Sequence, residues 1–333
     1  MRISVFEIEG WEQERFECMA DEHEVRFESR ALDAESAADH ADADVVSTFI
    51  YSDVSAAALE RFDGLGLVAT RSTGTDHIDL DWCREHDVVV ANVPTYGDNT
   101  VAEHVFALLL AVGRHLVEAA DRTRRGDFSQ AGLRGFDLQG RTIGIIGTGR
   151  IGAHVARIAQ GFGMDVVAFD VQEDPELARE VGFEYVSLEE LLQRSDVVTL
   201  HVPGSPKTHH LLGESEFEQM KPGTVLINTS RGTVVESSAL LRALGDGTVA
   251  AAGLDVIEGE PVIREEAELM HSVFTREHDL EMLLSDHVLL RLRNVLITPH
   301  IGFATREAVQ RILDTSCQNI EAFARGEPQN VVD

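Results

Sequence analysis

Apolar residues fall along this chain in short runs separated by amphipathic stretches, and the rhythm occurs twice. The first series is "ISVFEI", "EVRFES", "VVSTFI", "LVATRS" and "VVVANVP", with helix-like segments such as "SAAALERF" between them. Alternation of this kind predicts parallel strands joined by crossover helices. A longer pattern follows at Asn99–Leu116, where Val101, Val105, Leu108, Leu109, Val112 and Leu116 share one face and Thr100 is available as a cap. A second series then begins with "TIGIIG", "DVVAFD", "DVVTLHV", "TVLINT", "VAAAGLD" and "NVLITPH", enough for one complete nucleotide-binding sheet. The last pattern, "TREAVQRILDTSCQNIEAFARG", is a single amphipathic helix that cannot stand alone. It is expected to return to the first series. The second series would then be an insertion, with domains predicted at 1–98 plus 296–333 and at 99–295.

Composition narrows the picture. The chain has 333 residues, with 58 Asp and Glu against 28 Lys and Arg, for a formal net charge of −30. Such a field repels phosphate backbones, so nucleic acid is not an expected partner. Of the 28 basic residues only Lys207 and Lys221 are lysines, and acid-rich, lysine-poor composition predicts adaptation to high salt. The longest apolar run, Val105–Val112, is far shorter than the ~20 residues of a membrane span. The amino terminus lacks the apolar core of an export signal. Cys18, Cys83 and Cys317 are scattered, which argues against a disulfide scaffold or zinc site and predicts a cytoplasmic protein without a metal.

The candidate chemistry begins at "GIIGTGRIG". Gly147, Gly149 and Gly152 follow a strand-like run and precede a helix-like one, and the next strand ends at Asp170. In that context the glycines allow a tight turn, backbone approach to a pyrophosphate and close helix packing, with the helix N-terminus facing negative charge. Arg150 lies inside the fingerprint and could contact the pyrophosphate or simply be solvated. Asp170 would accept from both ribose hydroxyls and repel a 2′-phosphate, so NAD is predicted over NADP. Ligands of such sheets bind at the carboxyl ends of strands, where "INTSRG" places Arg231, "GLDVIEGEP" places Glu260 and "LITPHIG" places His300. His209 and His210 are neighbours that would point apart on any regular element, and His104 reads as a helix histidine beside Glu103, near the cofactor helix.

These motifs, with "RSTGTDHIDL", "VPTYGDNTVAEH", "LHVPGSPKTHHLL", "MKPGTVLINTSRG" and "NVLITPHIGFAT" in this order, make the chain resemble the D-isomer-specific 2-hydroxyacid dehydrogenases over essentially its whole length. The resemblance implies an α/β protein with a Rossmann NAD-binding domain inserted into a discontinuous flavodoxin-like substrate domain, a cleft that closes by hinge motion, and a homodimer built on the nucleotide domain. It also implies a triad in which Arg231 holds a 2-oxo acid, His300 gives its proton to the carbonyl as hydride arrives, and Glu260 orients the imidazole. The backbone at Thr73 and Gly74 would receive the substrate carboxylate. The cofactor pattern of the family maps onto Ile151, Val202, Pro203, Thr208, Thr229, Ser230 and Asp255 as well.

Tyr96 stands where lactate-type members carry a tyrosine that reaches the substrate, and the excursion from Pro261 to Arg293 and Phe303 also resemble that branch. Thr75-Asp76-His77 and Ile301-Gly302 are less typical of it. Pyruvate and D-lactate are the favoured pair. A glyoxylate or hydroxypyruvate reductase and a phosphoglycerate dehydrogenase-like enzyme are the alternatives. A formate dehydrogenase would need an amide where Glu260 stands. From another class, the resemblance also admits an NAD(H)-gated, co-repressor-like binding protein.

Overall fold

The computed structural model describes residues 1–259 and 280–332. The first stretch runs β1 (Arg2–Val5), α1 (Gly10–Glu17), β2 (Glu24–Phe27), β3 (Val45–Thr48), α2 (Ala56–Leu59), β4 (Leu67–Thr70), α3 (Leu80–Glu85) and β5 (Val89–Ala91). Next come α4 (Asp98–Gly113), α5 (Leu116–Arg124), β6 (Thr142–Ile146), α6 (Arg150–Gly161), β7 (Asp165–Phe169), α7 (Pro175–Val181), β8 (Glu184–Tyr185), α8 (Leu188–Arg194) and β9 (Val197–Leu200). The chain continues through α9 (Glu214–Phe217), β10 (Thr224–Asn228), α10 (Ser237–Asp246), β11 (Val249–Leu254), α11 (Leu280–Leu289), β12 (Val295–Ile297) and α12 (Arg306–Ala324).

Contacts divide the chain into two compact units, Met1–Tyr96 with Ala304–Asp333, and Gly97–Phe303. In the first unit the described strands form a five-stranded sheet ordered β2-β1-β3-β4-β5, every pair parallel. That order is the flavodoxin-like one. β3 and β4 are buried at every position, as strands covered on both faces must be, and so they read as unbroken apolar runs. The returning α12 buries Leu313, Cys317 and Ile320 among Ile3, Val5, Val45 and Leu67. Its N-cap Thr305 accepts from Ala308 N at 3.2 Å. Beyond α12, Val331 bridges antiparallel to Ala91 and Val332 N donates to Val90 O, so the chain end extends the β5 edge.

The second unit carries a seven-stranded parallel sheet, β12-β11-β10-β9-β6-β7-β8, the doubly wound order of a Rossmann domain. One face packs α4 and α6 through Val105, Leu109, Val155 and Ala159 onto Ile143, Ile145 and Ile227. The other packs Leu191, Leu240 and Leu289 onto Val198, Leu200 and Leu226. Three features differ from the expectations. β8 is a seventh strand of two residues, too short to leave a pattern. The helix expected over Asn99–Leu116 starts at Asp98 behind the N-cap Gly97, so Thr100 lies buried inside it, and it ends at Gly113. There His115 takes φ +51° and Phe136 N bonds Gly113 O, which turns the chain into α5. Finally, an expected boundary at 295/296 would cut β12, whose Val295 pairs with Ala252 of β11. The contact boundaries fall at 96/97 and 303/304 instead. Among the described residues no single helix is long and apolar enough to cross a membrane.

Candidate active site

The glycine turn leaves β6 at the point where strand order reverses. Gly147 has φ +94°, and a Cβ there would lie 2.6 Å from His201 O at the end of β9, so only glycine fits between the two strands. A Cβ on Gly152, in the first turn of α6, would come 2.0 Å from Gly147 O, so the helix starts in contact with the turn. Gly149, the α6 N-cap, has no atom within 4 Å of such a Cβ. The helix N-terminus is therefore open to an anion. Arg150 is exposed beside it and Ile151 half-buried.

Asp170 lies just past β7 and is already committed. One oxygen accepts from Thr148 N at 2.7 Å and Thr148 Oγ1 at 3.1 Å, and the other accepts from Gln172 N at 2.9 Å. Desolvation pushes this carboxyl up. The amides of Gln172 and Thr148 and the Thr148 hydroxyl outweigh it, leaving Asp170 below the ordinary aspartate value. Thr148 Oγ1 also lies 2.7 Å from Tyr185 Oη, which accepts from Asp174 N at 3.1 Å. Tyr185 had no signal in the sequence, because it stands on the two-residue β8.

After β9, Val202 and Pro203 lead into a loop that Thr208 ties down, its hydroxyl donating to Pro203 O at 2.6 Å. His210 in that loop takes φ +50°, and the rings of His209 and His210 lie with centroids 3.9 Å apart instead of pointing away from each other. The expectation assumed a regular element, and this is a turn. His210 Nε2 sits 2.5 Å from Glu258 Oε1, and His209, His210 and Glu258 have possible ligand atoms within 4.8 Å of one another. The Glu258 pairing already accounts for His210.

Three strand ends, β10, β11 and β12, lie side by side and are laced together. Asn228 O accepts from Asp255 N at 2.8 Å, and Asp255 O accepts from His300 N at 3.0 Å. Past β10, Asn228 Oδ1 takes Ser230 N (3.0 Å) and Ser230 Oγ (2.8 Å), while its amide donates to Arg231 O. Arg231 Nη1 donates to Ser230 O at 2.9 Å. A Cβ on Gly232 would meet Ile257 O at 2.0 Å, so the Arg231 turn is pressed against the segment leaving β11. That segment is anchored by Glu258 accepting from Ser237 N (3.1 Å) and by Gly259 N donating to Asp286 Oδ2 (2.8 Å). Glu260 and Pro261–Asp279 lie outside the described residues, so of the expected excursion only its final part, including α11, is described.

His300 stands past β12 with φ +54°, a left-handed conformation that a histidine adopts at a cost. The turn around it hangs on Asp255. This carboxylate is 2% exposed and accepts from the Thr298 hydroxyl, Ile301 N (3.0 Å) and Gly302 N (2.7 Å). Desolvation raises it, and bonds from His104, Thr298, Gly302 and Ile301 bring it below the ordinary value. Expected as a cofactor contact, Asp255 spends its carboxylate here on the His300 turn.

In the first unit Thr73 and Gly74 follow β4. Thr73 Oγ1 donates to Val93 O at 2.7 Å, Asn92 Nδ2 to Thr73 O at 2.8 Å, and Ser72 Oγ to Gly74 O at 2.6 Å. The buried Arg71 guanidinium donates to Phe6 O and Glu7 O behind them. Tyr96 O accepts from Arg311 Nη2 of α12 at 2.6 Å. Neither arginine was singled out by the sequence.

One observation bears on whether a dinucleotide fits. Thr229 Oγ1, at the end of β10, is shut off from water and has no hydrogen-bond partner among the described residues, which a buried hydroxyl rarely tolerates. With the open Gly149 cradle it leaves donor and acceptor capacity where such a ligand would lie.

The chain matches the family description "D-isomer specific 2-hydroxyacid dehydrogenase, NAD binding domain" over residues 106–302. It is 39% identical to a glyoxylate reductase of Thermococcus litoralis over 298 residues, covering 87% of this chain and 83% of that protein. It is 38% identical to a D-lactate dehydrogenase of Escherichia coli over 289 residues, 85% of this chain and 84% of the relative. The chain belongs to the D-isomer-specific 2-hydroxyacid dehydrogenases. A solved D-lactate dehydrogenase from Aquifex aeolicus, complexed with NAD and lactic acid, superposes on this dehydrogenase with a TM-score of 0.87 at 33% identity, covering 98% of this chain and 96% of that one. The protein is thus an NAD-dependent oxidoreductase acting on 2-hydroxy acids. NAD, when bound, supplies and accepts the hydride.

Proposed function

We propose that the protein interconverts a small 2-oxo acid and its D-2-hydroxy acid, with pyruvate and D-lactate as the favoured pair. The observation that carries this is His300, presented on a left-handed turn pinned by a buried carboxylate at the carboxyl end of the nucleotide sheet. In this reading His300 gives its proton to the carbonyl oxygen in reduction and recovers it in oxidation. Arg231 holds the carboxylate and carbonyl with its planar fork. Glu260 orients the imidazole. Thr73 and Gly74 offer backbone to the substrate carboxylate, and Tyr96 contacts the substrate. Gly147, Gly149 and Gly152 with Arg150, Ile151, Val202, Pro203, Thr208, Thr229 and Ser230 hold the cofactor, and Asp170 takes its ribose hydroxyls.

Glyoxylate or hydroxypyruvate is the second reading, supported by the glyoxylate reductases among the relatives. The test follows NADH consumption with pyruvate, glyoxylate, hydroxypyruvate and a branched 2-oxo acid. The largest kcat/KM is expected with pyruvate. Preference for glyoxylate or hydroxypyruvate replaces the favoured pair, and NADH binding without turnover of any acid replaces the enzyme by a cofactor-gated binding protein. A cytoplasmic homodimer belongs to the same proposal.

A further inference from the structure

We infer that His104, on α4, is a positioning residue for the proton donor, holding the His300 turn through Asp255 and the Thr298 hydroxyl. The inference rests on the reading of His300 as that donor.

His104 Nε2 lies 3.1 Å from Thr298 Oγ1 and 3.3 Å from Asp255 Oδ1. Thr298 gives its one proton to Asp255 Oδ1, so toward His104 its oxygen can only accept. The ring proton must then sit on Nε2, where it serves hydroxyl and carboxylate together. Thr298, Ile301 and Gly302 all belong to the turn that Asp255 holds. His104 comes from elsewhere, 194 residues earlier than Thr298, on a helix whose Val105, Leu108 and Leu109 are buried in the core. It fastens a polar cluster in the turn to a rigid element. The packing is close, because a Cβ on Gly302 would come 2.8 Å from Asp255 Oδ2 and 3.4 Å from His104 Cδ2.

A left-handed histidine persists only where its surroundings over-determine it. Reacting groups displaced by about 1 Å lose on the order of a hundredfold in rate. Loosening this anchor therefore acts on the chemical step and leaves the glycine turn, where the dinucleotide would be held, untouched.

The test uses full-length His104→Leu and His104→Gln, compared in single-turnover NADH oxidation so that product release does not mask the step. Leucine keeps the bulk and removes the donor; the glutamine amide restores an N–H near the Nε2 position. His104→Leu is expected to slow hydride transfer about tenfold or more, with NADH affinity and KM for the oxo acid within about twofold, and His104→Gln to recover most of the rate. Thr298→Val should show the same loss, and the double variant His104→Leu/Thr298→Val should fall no further than the worse single one, since both act through one carboxylate. A wild-type rate in His104→Leu, equal losses in the leucine and glutamine variants, or additive losses would overturn the inference. His300→Ala separates the levels. If it reacts at the wild-type rate, the reading of His300 fails; if it is inactive while His104→Leu is not, only the role of His104 fails.

Discussion

At the scale of single residues, selectivity for the dinucleotide rests, in the proposed reading, on a carboxylate fixed in advance. Asp170 does not wait for a ribose to orient it, because Thr148 and Gln172 hold both oxygens and Tyr185 braces Thr148 from the side. Its depressed pKa keeps it charged through the neutral range, where its two oxygens attract hydroxyls and repel a phosphate. Changing Asp170 to Ala removes the repulsion and, at once, the acceptor of Thr148 N, Thr148 Oγ1 and Gln172 N. The ratio of kcat/KM for NADPH over NADH is expected to rise by at least about tenfold, chiefly through weaker use of NADH. An unchanged ratio would mean that the ribose lies elsewhere. Tyr185→Phe offers a finer gauge, since it leaves the charge and removes the brace on Thr148 together with the acceptor of Asp174 N.

At the scale of elements, the β6–α6 unit distinguishes two uses of glycine that the motif alone cannot separate. Gly152 is needed by the fold, because its Cβ would enter the van der Waals space of Gly147 O. Gly149 has free space around it, so in the proposed reading it is needed only by the cofactor. Gly152→Ala is expected to destabilise the protein by about 1–3 kcal/mol and to abolish NADH binding as α6 moves off the turn. Gly149→Ala should melt within a degree or two of the parent and still bind NADH at least tenfold more weakly. Thermal melts with and without NADH check both, and equal melting losses would deny the distinction. The strands themselves were legible because burial on both faces writes them as apolar runs. What escaped was set by contacts distant in sequence. The stop of α4 at Gly113 depends on Phe136, β8 on its pairing with β7, and the anchoring of His300 on residues 43 and 194 positions from Thr298. The paired rings of His209 and His210 follow from a positive φ that no periodicity announces.

At the scale of the whole molecule, two electrostatic effects oppose each other, and their balance predicts the response to salt. Described ion pairs such as Arg194 with Glu184 and Glu190, or Arg125 with Asp121, are largely exposed, so each contributes little and salt weakens it. Against them stand 58 acids and only 28 bases. The net charge is therefore −30, and the mutual repulsion of the excess carboxylates acts over the whole surface. Screening shortens from about 10 Å at 0.1 M to about 3 Å at 1 M, relieving many repulsions while weakening few attractions. The melting temperature is therefore expected to rise by at least about 5 °C between 0.1 M and 2 M KCl, and turnover of the 2-oxo acid to rise with it. An osmolyte such as sucrose, which is excluded from the surface without screening, serves as control and should reproduce little of the effect. A melting temperature that stays flat or falls in KCl would mean that the ion pairs outweigh the excess charge, and the acidity would then be no adaptation to salt. A rise matched by sucrose would place the effect in apolar burial instead of charge.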